Sequence, residues 1–319
     1  MNPRVSVVIP TYNRADVIGE AVASVLAQDL PELEVLVVDD GSADGTRAAV
    51  EAVRDPRVRY LHQENGGPAA ARNHGIREAQ SQLVAFLDDD DRWRPNKLSR
   101  QLAVFDARPE LGMVYTDTEV FGPRQSRLRR FLFPRQSSME VRMADGWVET
   151  DLYFSCFIVM STVLARKDVI ERAGFFDPAY RKMQVEDHDL FVKMARVAPV
   201  GYLDEPLVLR RSHPGQFMAQ KRRAAEGMQA MLLTRLADAE SPAALKGATD
   251  VVALNPFVNY GVAYRATPAY RASLSRVLTQ AWRAALFRGV SVKALAKWAR
   301  FAMATVAAAW RAPEPPATS

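Results

Sequence analysis

"VSVVIPTYNRADVIGEAVASVLAQDLPELEVLVVDD", residues 5–40, is the stretch whose reading decides the fold. It opens on a β-branched run, Val5 to Pro10, and closes on another, Glu34 to Asp40. Between them Ile18, Val22, Val25 and Leu26 recur at i, i+4, i+7 and i+8, the spacing of one helical face. The two runs are nearly continuous in hydrophobicity, so both of their faces must be covered. That combination predicts a parallel sheet with helices on either side.

The alternation continues outward. "RVRYL" (57–61) and "LVAFLD" (83–88) read as two more strands, and Asp44 to Val53 and Pro68 to Ala79 read as helices. Sheets of this kind bind ligands at the carboxyl ends of their strands. At those ends lie Pro10-Thr11-Tyr12-Asn13-Arg14, Asp39-Asp40-Gly41-Ser42, Glu64-Asn65-Gly66-Gly67 and the run Asp88 to Asp91. Turn chemistry, helix caps and solvated charge explain each of these singly. They do not explain why carboxylates recur on the same edge of two strands.

Four adjacent aspartates repel one another, and a divalent cation is the economical remedy. Oxygen-only ligands suit Mg²⁺ or Mn²⁺. Such an ion takes one or two carboxylates and completes its shell with substrate phosphates, so an Asp-x-Asp on this rim suggests a metal-bound diphosphate. A merely solvated acidic turn is the competing reading.

Beyond Pro109, "GMVYTDTEVFG" (112–122) reads as a strand, followed by an irregular basic insert that carries Arg124, Arg127, Arg129, Arg130 and Arg135. Residues 157–177 read as a strand and then a short helix stopped at Gly174. Glu186-Asp187-His188-Asp189 opens an amphipathic helix whose first-turn acids suit the helix dipole. "VGYLDEPLVLRRSH" (200–213) reads as a closing strand pair.

Taken in order, "VSVVIPTYNR", "VVDDGSADGT", "NGGPAAARNHGI", "AFLDDDDRW" and "EDHDL" resemble family 2 glycosyltransferases of the GT-A, Rossmann-like fold, over roughly residues 3–213. The resemblance implies a nucleotide-diphosphate sugar donor, Mn²⁺ or Mg²⁺, and a saccharide or lipid-linked acceptor. It implies that Pro10, Thr11, Tyr12 and Arg14 border the nucleotide base and that Asp39 and Asp40 accept hydrogen bonds from base and ribose. Gly66 and Gly67 would allow close approach to the sugar donor, and Arg72 would reach the nucleotide or its phosphates. Asp88 and Asp90 match the Asp-x-Asp, Asp90 as the firmer metal ligand, with Asp89 also on the donor side. Asp187 matches the base of an inverting displacement, with Glu186 beside it. A helix N-terminus rich in acids is the plainer account of that pair. Arg210, Arg211 and His213 fall where the family often places a basic residue or His near metal or diphosphate; an ordinary strand end is the alternative. Trp93 reads as a packing residue or a wall of the acceptor site.

Composition bounds the rest. The chain has 319 residues, 48% hydrophobic, enough for one main domain and an appendage. Its single cysteine, Cys156, excludes an internal disulfide framework and fits a reducing compartment. The first apolar run is too short for a secretory leader, and no uncharged apolar stretch of membrane-spanning length occurs, so a cytoplasmic location is expected. The net charge of +5 is uneven: from Gln216 onward there are 14 Lys and Arg against 5 Asp and Glu. We therefore divide the chain into a catalytic domain, 1–214, and a basic, mainly helical region, 215–319. From Val292, helical projection places Lys293, Lys297, Arg300 and Arg311 on one side, with Leu295, Trp298, Val306 and Trp310 on the other. Such a helix either lies on the inner face of a membrane or packs on its own domain. Nucleic acid is not an expected partner, because no stacking aromatics interleave the basic residues. Two other functions fit the scaffold. One is a nucleotidyltransferase, disfavoured by the absence of glycine from "PTYNR"; the other is a non-catalytic nucleotide-sugar-binding module.

Overall fold

The computed structural model describes residues 2–122, 129–130, 145–153, 156–181, 183, 185–212, 227–232, 234–235 and 237. The chain divides into two compact units. The first comprises Met1–Leu132, Met143–Leu152 and Cys156–Gln216, and the second Phe133–Arg142, Tyr153–Ser155 and Phe217–Ser319. Of the second unit, 227–232 is helical. Among the described residues no helix is long and apolar enough to cross a membrane.

The first unit begins β1 (Val5–Thr11), α1 (Ile18–Leu26), β2 (Leu33–Asp39), α2 (Thr46–Glu51), β3 (Val58–His62), α3 (Pro68–Glu78) and β4 (Leu83–Phe86). It continues with β5 (Arg92–Trp93), α4 (Lys97–Ala107), β6 (Met113–Phe121), β7 (Arg129–Arg130) and α5 (Glu149–Leu152). It closes with β8 (Leu164–Arg166), α6 (Lys167–Arg172), α7 (Glu186–Val197) and β9 (Val200–Arg211). The strands form one sheet of order β3-β2-β1-β4-β8-β6-β9-β5, with β7 on β6.

The first four strands are parallel, and their buried runs show why. All seven residues of β1 and of β2 are buried. Val5, Val7 and Ile9 join a cluster with Ile18, Val22 and Val25 of α1, while the opposite face of β1 meets α3. There Gly75 lets the helix approach closely, because a Cβ would fall 2.4 Å from a Val8 methyl. Each fully buried Val or Ile contributes about 1.5–3 kcal/mol, so this double-sided burial fixes both strand and register.

Past β4 the sheet becomes mixed: β8 runs antiparallel to β4 and β6, β9 parallel to β6, and β5 antiparallel to β9. The expected closing strand pair over 200–213 is instead the single strand β9. Its register against β6 slips on both sides of Asp117, which faces Pro206. Proline cannot donate to the ladder, and here the irregularity absorbs it without ending the strand. The carboxyl ends of β1, β2 and β4, the end of β9 and the start of α7 supply the polar groups considered next.

Candidate active site

At the end of β2, both aspartates are held by the protein itself. Asp39 accepts from Ser42 N at 2.8 Å and from the Tyr60 hydroxyl at 2.6 Å. Asp40 accepts from Gln63 Nε2 (2.7 Å) and Gly66 N (2.8 Å) on one oxygen, and from Gly67 N (2.7 Å) on the other. A carboxylate oxygen has two lone-pair sites, so one Asp40 oxygen is filled and the residue braces the glycine turn. Gly67 needs its glycine: φ is +88°, and a Cβ would lie 2.7 Å from Arg181 Cγ. Beside this turn Pro10 and Thr11 are buried, whereas Tyr12 is half exposed (49%). Asn13 takes left-handed backbone (φ 53°) and ties the loops after β1 and β2 together through Ser42 Oγ and Ala43 N.

The four aspartates after β4 are not equivalent. Asp91 is buried; it accepts from Ser161 Oγ at 2.7 Å and from Arg211 N at 2.9 Å, and its own N–H closes a turn on Asp88 O. Ser161 Oγ also accepts from Asp88 N at 3.1 Å, so one hydroxyl fixes both ends of the run. Burial and the charges of Asp88 and Asp90 push the Asp91 carboxyl upward. Asp89 lies 3.6 Å from Arg14 Nε; burial, opposed by Thr11 and helped by Asp90, pushes its carboxyl up to about 7. Asp88 and Asp90 are half-buried at the rim.

Arg72, on α3, connects this turn to α7. Nη2 donates to Asp88 Oδ1 at 2.8 Å and Nη1 to Asp187 Oδ1 at 2.7 Å, with Glu186 Oε1 3.7 Å away. The guanidinium is buried (6% exposed). Burial opposes its charge, but Asp187, Asp88 and Glu186 outweigh that, and its pKa sits above the ordinary arginine value. For Asp187 the direction is also upward: burial raises it, Arg72 lowers it, and Glu186 and Asp88 raise it again. About a third of the Asp187 side chain (34%) remains accessible. Val185, at the N-cap of α7, makes no side-chain capping bond, so the first-turn acids sit in an ion-pair cluster.

Other predicted residues fall around this centre. Arg211 donates to Asp90 O (3.0 Å) and to Glu20, and it covers the Phe121 ring at 4.7 Å. It thereby clamps β9 onto the aspartate turn. Arg210 is half-buried, and His213 lies outside the described residues. Trp93 is buried, with Nε1 donating to Ser161 O at 2.8 Å. It is therefore the packing residue of the two readings, placed beneath the turn. Cys156 is half-buried, and burial, reinforced by the Asp187 charge, pushes its thiol up to about 12.

Sequence reading missed Ser161, which lies in a 3-10 turn, Met160–Thr162. It also missed Asn73 of α3 and the wholly buried Lys97, whose ammonium nitrogen lies 2.8 Å from Gln101 Oε1 and 3.9 Å from the centre of the Trp93 ring. Burial pushes the Lys97 pKa well below its usual value. No local pattern marks Ser161 or Asn73, because their partners lie 70 and 103 positions away. Lys97 sits between Trp93 and Gln101, each four positions off, in a stretch where a lysine reads as a solvated charge.

The donor set can be tested against a divalent cation. Among the described residues no three His, Cys, Asp or Glu side chains form a group that could hold a metal ion by themselves. Asp91 accepts from Ser161 and Arg211, whereas Asp88, which also accepts from Arg72, and Asp90 lie half-buried at the rim. Two carboxylates suit Mg²⁺ or Mn²⁺ whose remaining ligands come from phosphate and water, so the residues fit the ion.

Comparison with known proteins bears on the family and the fold. A family model described as "Glycosyl transferase family 2" matches residues 6–166. "Succinoglycan biosynthesis protein ExoO" of Rhizobium meliloti is 48% identical over 183 residues, 56% of this chain and 52% of that protein. The chain spans from 34% to 66% of the length of the first curated relatives it matches. S. aureus TarS 1–349 in complex with UDP-GlcNAc has a similar fold, with a TM-score of 0.65 and 19% identity over 96% of this chain and 92% of that one. So does the mannosyltransferase PcManGT of Pyrobaculum calidifontis in complex with GDP-Man and Mn²⁺, with a TM-score of 0.62 and 21% identity over 98% and 89%.

Proposed function

The chain belongs to glycosyl transferase family 2, and from that membership we propose that it moves a sugar from a nucleoside-diphosphate donor to a hydroxyl of a saccharide or lipid-linked acceptor, with inversion at the anomeric carbon. The proposed setting is assembly of a cell-surface polysaccharide or glycolipid, a reading supported by the name of the ExoO relative. A peripheral position at the inner face of the plasma membrane goes with it and rests on the sequence pattern of 292–311 alone.

One observation carries the proposal: a single buried guanidinium, Arg72, joins Asp88 at the end of β4 to Asp187 at the start of α7. On this reading Asp88 belongs to the sugar-donor side and Asp187 to the acceptor side, and one side chain joins them. In the displacement, the acceptor oxygen bonds to the anomeric carbon opposite the diphosphate, the bond from carbon to diphosphate oxygen breaks, and the hydroxyl proton passes to Asp187. A carboxylate whose pKa is raised toward neutrality takes that proton more readily than an ordinary aspartate. Arg72 keeps the carboxylate aimed and offsets the neighbouring charges. Tyr12, half exposed beside β1, offers a face for the base, and Asp39 and Asp40 fix the floor on which the nucleotide would sit. Asp88 and Asp90 would hold Mn²⁺ or Mg²⁺, which supplies stabilisation of the charge on the departing diphosphate.

The test is a thermal-shift screen of nucleoside diphosphates with and without Mn²⁺, followed by release of the selected diphosphate from its sugar conjugates. We expect one nucleotide to raise the melting temperature most, and more so with Mn²⁺. No shift with any of them, with or without the ion, would overturn the reading.

A further inference from the structure

Asn73 brackets a distant residue with both ends of its amide. Nδ2 donates to Phe176 O at 2.8 Å, and Oδ1 accepts from Phe176 N at 3.0 Å. Both residues are buried. Here α3 grips the chain on its way into α7. That chain passes through two consecutive left-handed residues, Gly174 (φ 84°) and Phe175 (φ 62°). Phenylalanine is strained in that region and stays there only where its surroundings hold it. The holders come from both helices: Phe175 O accepts from Lys193 Nζ of α7 at 2.7 Å, and Arg77 of α3 lies over its ring at 5.2 Å.

The ring of Phe176 completes the connection. The Arg72 guanidinium rests 5.5 Å from its centre, and Phe86, two residues before Asp88, meets it edge-on at 5.7 Å. Phe176 is thus the floor beneath the arginine that holds Asp187.

We propose that Asn73 is a positioning residue for Asp187: it clamps Phe176, the Phe176 ring seats Arg72, and Arg72 fixes the carboxylate. The role given to Asp187 rests on the transferase reading above; the clamp itself does not. Asparagine suits the task because its short amide gives one donor and one acceptor to a single residue. Aspartate would lose the donor and set a carboxylate against the Phe176 carbonyl.

The test uses the full chain with Asn73→Ala and, because that variant could fail to fold, Phe176→Leu, which keeps an apolar side chain but removes the ring. The first readout is a crystal structure of whichever variant folds. We expect the 2.7 Å contact between Arg72 and Asp187 to be lost; an intact contact overturns the proposal whatever the activity. The second is kinetic, with the nucleotide selected in the thermal-shift screen. We expect turnover to fall by roughly tenfold or more while nucleoside-diphosphate affinity changes by less than about threefold. Turnover within about twofold of the parent, or affinity falling in step with turnover, overturns it. If the unaltered chain neither binds a nucleoside diphosphate nor releases one, the transferase reading has failed, and the crystallographic contact alone decides the clamp.

Discussion

Arg72 and Asp187 meet at 2.7 Å, and the second arm of the same guanidinium meets Asp88 at 2.8 Å. Taking such charges out of water costs several kcal/mol per ion, repaid only while every partner is present. Arg72→Ala should therefore destabilise the fold, but by less than the ~3–5 kcal/mol of a fully buried pair, because Asp88 and Asp187 are each about a third exposed and solvent takes up part of their charge. Arg72→Lys keeps the charge but not the fork. It should fold, with a melting temperature between those of the parent and the alanine variant, and lose roughly ten- to a hundredfold in transfer rate. Thermal melts and initial rates check both.

Asp187→Asn isolates the proton acceptor. The amide oxygen still accepts from Arg72, so the centre should keep its shape. We expect nucleoside-diphosphate binding to stay close to that of the parent and transfer to fall by about 10²–10⁴. Calorimetric titration and rate measurements together give the answer, and undiminished transfer would remove Asp187 from its role.

Asp88 and Asp91 should separate function from fold. Asp91 gives its oxygens to Ser161 and Arg211, whereas Asp88 stands at the rim beside Asp90. Asp91→Asn should cost about 1–3 kcal/mol of stability, the penalty for a buried acceptor turned into a donor. The Mn²⁺ concentration needed for nucleotide binding should stay unchanged in that variant. Asp88→Asn should raise that concentration, with a smaller loss on melting. The reverse pattern would mean that the two residues exchange roles.

The difference between these aspartates marks where sequence reading stops. The strands β1 to β4 are legible because a parallel sheet leaves unbroken β-branched runs, and the rim follows because ligands gather at such strand ends. Four identical letters at 88–91 do not say which carboxylate turns inward. That is decided by Ser161, contributed by a 3-10 turn far along the chain. Pro206 misleads in the opposite direction. The stretch 200–213 that holds it reads as a strand pair, and the register slip opposite Asp117 shows how one strand, β9, runs through the proline. Asn73 is invisible for the same reason as Ser161: its partner, Phe176, lies 103 positions away, beyond what local periodicity registers.

His188 follows Asp187 in α7 but belongs to the core. Its Nε2 lies 2.7 Å from Leu152 O of α5, and burial pushes its pKa down to about 4, against the opposing effects of Leu152 and Asp189. In the unfolded chain the value is about 6.5. Between these values the unfolded state binds more protons, so the stability due to a neutral His188 is complete above about 6.5 and is lost as pH falls toward 4. His188→Gln retains an N–H for the Leu152 carbonyl but does not titrate. From pH 7 to 4.5 the parent should therefore lose about 2–3 kcal/mol more than the variant in urea denaturation. Parallel stability curves across that interval would mean that His188 is protonated in the folded protein as readily as in the unfolded chain.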